Sequence, residues 1–297
     1  MPITKRAIEN DNQWKMWRGG LVGASETGAL FPGSGHYMSP FELYQLKSGN
    51  LQITETKVMR DGRKMEKVAL ELIQEEYPEL KAYNPKVHYS DSEIGVGATP
   101  DAFAEDHHRG IGVIQIKWID RDNYRKWHDV PPLWMALQVT QEAWLSGASW
   151  GVICALVQDH GLNLHFHQVE IRDDVIAAIR KEVQEFWRRV REEDPPAPDY
   201  SRDADIIRAA FPEDDGGEID LTGDNELPEL AAKYELTKGL AAANEKAARA
   251  IGAELLHKIG NHSIARFQGG YFTAKTVRRA AHEVKESVYR PLRVVSK

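Results

Sequence analysis

Three residues stand out as able to do chemistry: Asp101, Gln115 and Lys117. Asp101 follows a proline in ATPDAF, and the proline ring constrains the backbone that leads into it. Gln115 and Lys117 stand two apart in VIQIKW, which puts both on one face of a strand. Val113 shares that parity, so the lysine is expected to lie partly buried and to need an acid partner, for which Asp101 is the candidate. A carboxylate that holds Mg2+ or Mn2+, beside a lysine attending an attacking water, is a coherent arrangement for phosphodiester hydrolysis. The same spacing also suits a lysine snorkelling from a strand end near an unrelated turn aspartate.

Two helices bear on that choice. In GRKMEKVALELIQEEY, Glu66 precedes Ala69, Leu70 and Ile73 at helical spacings, so its carboxylate sits beside the apolar stripe, either facing the domain or pairing at its boundary with a surface lysine such as Lys64 or Lys67. In WMALQVTQEAW, Gln138 and Gln141 sit among apolar neighbours. A buried glutamine needs partners, so each is expected to orient a water, bind a phosphate or bridge backbone groups.

The elements that must position these groups follow from period and punctuation. Ser39 and Pro40 read as N-cap and first residue of a short helix in SPFELYQLK. Residues 62–77 read as an amphipathic helix, 110–120 as a mostly apolar strand, and 131–147 as a helix ended by Gly147. Strands are expected over 150–158 and 162–171, then a long helix over 173–190 with Asp173 or Asp174 near its N-cap. Beyond it, EEDPPAPDYSRDAD is a Pro- and acid-rich boundary, with about one helical turn in IIRAAF. A helix from Leu227 to Ile259 and a hairpin turning at Gly269 and Gly270 close the chain. The expected organisation is a core over 1–194, an acidic linker over 195–229 and an extension over 230–297.

Charge is unevenly spread. The net of -7 combines -3 over residues 1–191, -12 over 192–229 and +8 over 230–297. An acidic total therefore does not exclude nucleic acid, because a groove needs only local positive charge. Arg121, Arg125 and Lys126 form such a basic loop just after the Lys117 strand. Cys154 is the only cysteine, which excludes a disulfide framework and a cysteine zinc site. No apolar run approaches the ~20 residues that span a bilayer. No membrane partner or secretory leader is expected, and the expected location is cytoplasmic, in a bacterium or phage-infected host. The GVG at 95–97 lacks the third glycine of a dinucleotide fingerprint. Ser25 has no accompanying His–Asp pattern, and His165 and His167 lack a third ligand at metal spacing.

With these residues in place, the chain resembles the YqaJ-type viral recombinase family, the group containing phage lambda exonuclease. The resemblance runs in order through RGGLVGASETGALFPGSGHYMSPFELYQLKSG, GRKMEKVALELI, TPDAF, VIQIKW and ALQVTQEAWLSGASWG, and extends to a final YRPLRV. It implies an α/β, restriction-endonuclease-like PD-(D/E)xK core, a mixed central sheet flanked by helices, with a C-terminal helical and β-hairpin extension. It also implies a Mg2+- or Mn2+-dependent DNA exonuclease of phage or prophage recombination, acting 5′ to 3′ on linear duplex ends. The implied partners are DNA ends, a single-strand annealing protein and further copies of the chain in a ring-shaped trimer.

By the same resemblance, Asp101, residue 115 and the Ile116 carbonyl hold the metal, with Glu66 assisting. Lys117 activates water, Gln138 contacts that water or the scissile phosphate, and Arg18 and Ser25 bind a terminal 5′-phosphate, a task suited to an arginine fork. The chain departs from the pattern at Gln115, where the family has an acid. An amide keeps one donor oxygen but loses the charge that hard cations prefer. Activity with the amide as ligand, replacement by another acid such as Asp91 or Glu93, and a silent or weakened DNA-end binder all remain open at this point.

Overall fold

The computed structural model describes residues 3–280, 286 and 290–294. Parts of the expected extension, 281–285, 287–289 and 295–297, lie outside the described residues, including the start of the YRPLRV motif. The chain divides into two units, Met1–Ala210 and Phe211–Lys297.

The first unit opens with β1 (Thr4–Ala7), α1 (Asp11–Gly19), β2 (Val22–Gly23) and α2 (Ala24–Thr27). It continues through α3 (Pro40–Lys47), α4 (Lys57–Glu76), β3 (Val87–Asp91), β4 (Val96–Ala98), β5 (Ala102–Asp106) and β6 (Gly110–Asp120). Then come α5 (Arg121–Arg125), α6 (Leu133–Ser146), β7 (Trp150–Gln158), β8 (Leu162–Val169), α7 (Asp173–Arg191) and α8 (Ala204–Ala210).

The central sheet runs β5-β6-β7-β8, with β6 and β7 parallel and the outer pairs antiparallel. Parallel neighbours require a crossover, and α5 and α6 provide it. A smaller sheet, β1-β3-β4-β2, carries the N-terminal segment.

Strand parity sorts the core into two layers. Val113, Ile153, Ala155 and Val157 face α6 and α7, whereas Ile114, Ile116, Val152 and Cys154 face Ala69 and Ile73 of α4. β7 is covered on both sides and is accordingly an almost unbroken apolar run. Gln115 and Lys117 share the Val113 face, so they point towards α6. The expected caps are present: Ser39 Oγ accepts from Glu42 N at 2.9 Å, and Gly147 ends α6 at φ 75°, a conformation glycine adopts without strain.

Three expectations need correction. α4 begins at Lys57, five residues before the expected start, because Thr56 Oγ1 caps Met59 N at 3.2 Å and Gly62 is absorbed into the helix. α7 has no side-chain N-cap, and its two first-turn acids instead complement the helix dipole. The core does not stop at residue 194. Asp203 is buried and Arg202 Nη2 donates to His36 O at 2.6 Å, which ties the segment to Ala210 into the first unit.

The second unit holds α9 (Leu227–Ile259) and a hairpin of β9 (Ile264–Phe267) and β10 (Gly270–Thr273). The hairpin pairs Phe267 with Gly270, so its turn is Gln268 and Gly269, with Gly269 at φ 102°.

Candidate active site

The site is assembled where β5, β6 and α6 meet. Ala102 pairs with Ile114, so Asp101, one residue before β5, stands at the level of Gln115. Its Oδ2 accepts from Ile116 N at 2.8 Å and from the amide of Gln115. Gln115 Nε2 also lies 3.4 Å from the Ile116 carbonyl. Three sequence candidates thus converge on one carboxylate oxygen. Lys117, two residues further along the strand, donates from Nζ to Gln138 Oε1 at 2.9 Å and lies 5.1 Å from the centre of the Trp134 ring.

Glu66 joins the site electrostatically. It sits three and seven residues before Ala69 and Ile73, the α4 residues buried against the sheet. Burial raises its carboxyl pKa, and Lys117, the strongest of the opposing charges, pulls it back. Asp101 is pushed up to about 7, first by burial and then by the negative charge of Glu66, with Lys117 opposing.

Sequence reasoning missed a further carboxylate. Glu142 is 1% exposed and accepts from Gln138 Nε2 at 3.0 Å. Burial and the charge of Asp101 push its carboxyl well above the usual range. Its position four residues after Gln138 was the available signal. Three carboxylates around one ammonium leave the centre short of positive charge, and Gln115 Oε1 is a buried acceptor without a partner.

Among the described residues no three Asp, Glu, His or Cys side chains form a metal cluster on their own, so amide and carbonyl oxygens are needed to complete a shell. The donor set fits a hard divalent cation: the Asp101 carboxylate, Gln115 Oε1, the Ile116 carbonyl and an acid nearby.

The two helix glutamines divide the work. Gln138 faces Lys117. Gln141 is wholly buried and donates to Val22 O at 3.1 Å and Gly97 O at 3.0 Å, while its Oε1 accepts from Thr27 Oγ1. Gln141 therefore bridges backbone groups of β2 and β4. Asp91 is spent on its own turn, accepting from Glu93 N at 3.0 Å and Ile94 N at 3.2 Å.

Arg18 and Ser25 come together as a second cluster. Arg18 Nη2 donates to Ser25 Oγ at 3.1 Å, and its guanidinium lies 4.5 Å from the centre of the Trp14 ring. A buried ion pair, Lys47 Nζ to Glu26 Oε2 at 2.8 Å, underlies them. His36, unforeseen in the sequence, donates from Nε2 to Ser25 O at 2.9 Å and accepts on Nδ1 from Met38 N at 3.1 Å. Both ring nitrogens of a neutral imidazole are thereby used, and burial lowers its pKa accordingly.

Arg121 is paired with Asp159 at 3.1 Å, Arg125 lies 4.0 Å from Asp122, and Lys126 donates to Asn123 at 2.7 Å. All three lie beyond the end of β6, beside a groove lined by Tyr37, Trp118, Asp120, Asn123 and Trp134. His167 Nε2 lies 3.1 Å from Tyr124 Oη and His165 stacks near the same ring, a packing role. No described helix is long and apolar enough to cross a membrane.

No curated protein matches the chain. A crystal structure of an alkaline exonuclease from Laribacter hongkongensis is similar in fold, with a TM-score of 0.51 and 20% identity over 66% of this chain and 100% of that one. A crystal structure of the same exonuclease in complex with dAMP gives 0.49 and 20% over 66% and 99%. The fold is thus the mixed α/β PD-(D/E)xK type. Both clusters, from Arg18 to Glu142, lie within residues 13–149, and that stretch of the chain matches the YqaJ-like viral recombinase domain.

Proposed function

We propose that this chain is a divalent-metal-dependent exonuclease that degrades linear duplex DNA from its 5′ ends in a recombination pathway. The observation that carries the reading is the held lysine. Gln138 fixes the Lys117 ammonium on the strand face it shares with Gln115, beside the Asp101 carboxylate. The nuclease core is assigned to the first unit, and residues 211–297 to an appendage with a basic tail.

Asp101, Gln115 Oε1, the Ile116 carbonyl and Glu66 would hold Mg2+ or Mn2+. When bound, the cation polarises the scissile phosphate and lowers the pKa of a coordinated water. Lys117 orients the attacking water and offsets charge that develops on the phosphoryl oxygens. Gln138 removes the rotational freedom of that ammonium, so its placement is set before substrate arrives. Water adds to phosphorus, the P–O3′ bond breaks, and the retained strand is left with a new 5′-phosphate. Arg18 and Ser25 bind such a phosphate, and each cut regenerates their ligand. Arg121, Arg125 and Lys126 contact the backbone by exchanging their present partners for phosphates, which makes binding salt-sensitive. The partners assigned are DNA ends, an annealing protein that receives the product strand, and further copies of the chain.

A second reading, a DNA-end binder without cleavage, is favoured by one observation: the amide of Gln115 neutralises nothing and itself occupies Asp101 Oδ2. Digestion of 5′-labelled linear duplex with Mg2+ or Mn2+ separates the two. The nuclease reading expects digestion by the natural chain and a loss of at least about a hundredfold in Lys117→Ala, in the range typical for a group acting on the transferred proton. DNA-end binding without digestion, unaffected by Lys117→Ala, supports the second reading. Digestion only by Gln115→Glu identifies a silenced nuclease.

A further inference from the structure

Two acceptor oxygens at the centre of the site have no hydrogen-bond partner, Gln115 Oε1 and Glu142 Oε2. Their residues are 3% and 1% exposed, so bulk water does not satisfy them. The other end of each side chain is engaged, Gln115 with Asp101 and Glu142 with Gln138. A buried acceptor left empty is costly, and a native protein that keeps two of them in one site calls for an explanation such as an ion.

Their relative placement follows from the register. Gly112 pairs with Trp150 at the start of β7, and α6 ends at Ser146, four residues earlier. The C-terminal end of α6 therefore lies towards the Gly112 end of β6, and the helix runs opposite to the strand. Gln138 is level with Lys117, to which it is bonded. From Gln138 to Glu142 the helix advances ~6 Å, and from Lys117 back to Gln115 the strand retreats ~6.6 Å. Glu142 therefore stands at the level of Gln115, as Gln138 does at that of Lys117. The two residues that carry the unpartnered oxygens occupy the same level on packed elements, and Gln115 is bonded to Asp101.

We propose that Glu142 is the displaced acid of this site: α6 delivers the carboxylate that β6 lacks at Gln115, and Glu142 Oε2 and Gln115 Oε1 together face the divalent cation. Gln138 then has two tasks, orienting Lys117 through its oxygen and Glu142 through its nitrogen. The inference rests on the metal-dependent reading above.

The test is calorimetric titration of the full chain with Mn2+, without DNA, for the natural protein, Glu142→Gln, and the swap variant Glu142→Gln with Gln115→Glu. Glu142→Gln is expected to weaken Mn2+ binding by roughly 10–100-fold, the range for a lost metal-site partner. The swap variant is expected to return to within about threefold of the natural affinity, because it restores the charge from the strand. Unchanged Mn2+ affinity in Glu142→Gln overturns the inference and leaves the nuclease reading intact. A folded swap variant that stays tenfold weaker also overturns it. If Glu142→Gln alone does not fold, by near-ultraviolet circular dichroism, the swap variant decides by the same thresholds. A natural chain that neither binds Mn2+ nor digests DNA overturns the metal-dependent reading and this inference with it.

Discussion

Replacing Lys47 by methionine should destabilise the first unit far more than a typical substitution. Lys47 and Glu26 form an ion pair whose side chains are 4% and 9% exposed. The same carboxylate oxygen accepts from Gly23 N at 2.7 Å, and Lys47 Nζ also donates to Arg18 O at 3.3 Å. Methionine keeps most of the stem volume but leaves Glu26 buried with a single backbone donor. Stranding one partner of a buried pair costs ~3–5 kcal/mol. In a unit of this size each kcal/mol moves Tm by about 2–4 °C, so Lys47→Met should melt lower by about 6–20 °C. Adding Glu26→Gln should recover about half of that, because an amide needs no counter-charge. Arg18 would also lose the bond from Lys47 to its carbonyl, so affinity for 5′-phosphorylated ends should fall relative to 5′-hydroxyl ends. Scanning calorimetry of the full-length variants is the assay. A loss under about 1 kcal/mol, the level of an exposed pair, or equal losses in the single and double variants, would refute the reasoning.

Other expectations follow from the same geometry. His88 is 1% exposed, and burial, then Arg18 and Arg6, push its imidazole down to about 4. The unfolded chain takes up that proton below about 6.5 while the folded chain does not, so stability should be lost as pH falls from 6.5 to 4, by about 3 kcal/mol in all; urea midpoints should show a shallower acid slope in His88→Gln. Asp101 has the opposite sign: with its pKa pushed up to about 7, the metal-free fold loses stability as pH rises from the ordinary carboxylate range to 7. Mn2+ should therefore raise Tm more at pH 8 than at pH 6, and an equal shift at both would argue against Asp101 as a ligand. Gly112→Ala would place a Cβ 2.1 Å from Trp150 Cδ2, a ring already held by its Nε1 bond to Gly110 O at 2.9 Å. Overpacking there should cost about 1–3 kcal/mol by chemical denaturation, and a neutral result would mean that the ring moves freely.

Much of the site was legible in the sequence because it rests on local rules. Strand parity alone put Gln115 and Lys117 on one face, and Ser39, Pro40 and Gly147 marked helix ends by capping chemistry. The ordered motifs located Asp101, Glu66, Arg18 and Ser25. The division of labour between Gln138 and Gln141 was not legible, because both read as glutamines on an apolar helix. Their partners decide it, and those of Gln141 lie 114 and 119 residues away, at Thr27 and Val22.

Glu142 escaped notice for a related reason. A glutamate in a helix is ordinarily solvated, and only the packing of α6 against β6 buries this one beside Asp101. The core boundary moved to Ala210 because an acid- and proline-rich composition predicts a linker, whereas Arg202 and the buried Asp203 fold that segment back. The sequence by itself determined which residues share a face and where each element stops, since those depend on backbone period and caps. Only the tertiary structure decided which buried polar atoms meet, which acids feel one another's charge and which acceptors are left open, because each depends on contacts between segments distant along the chain.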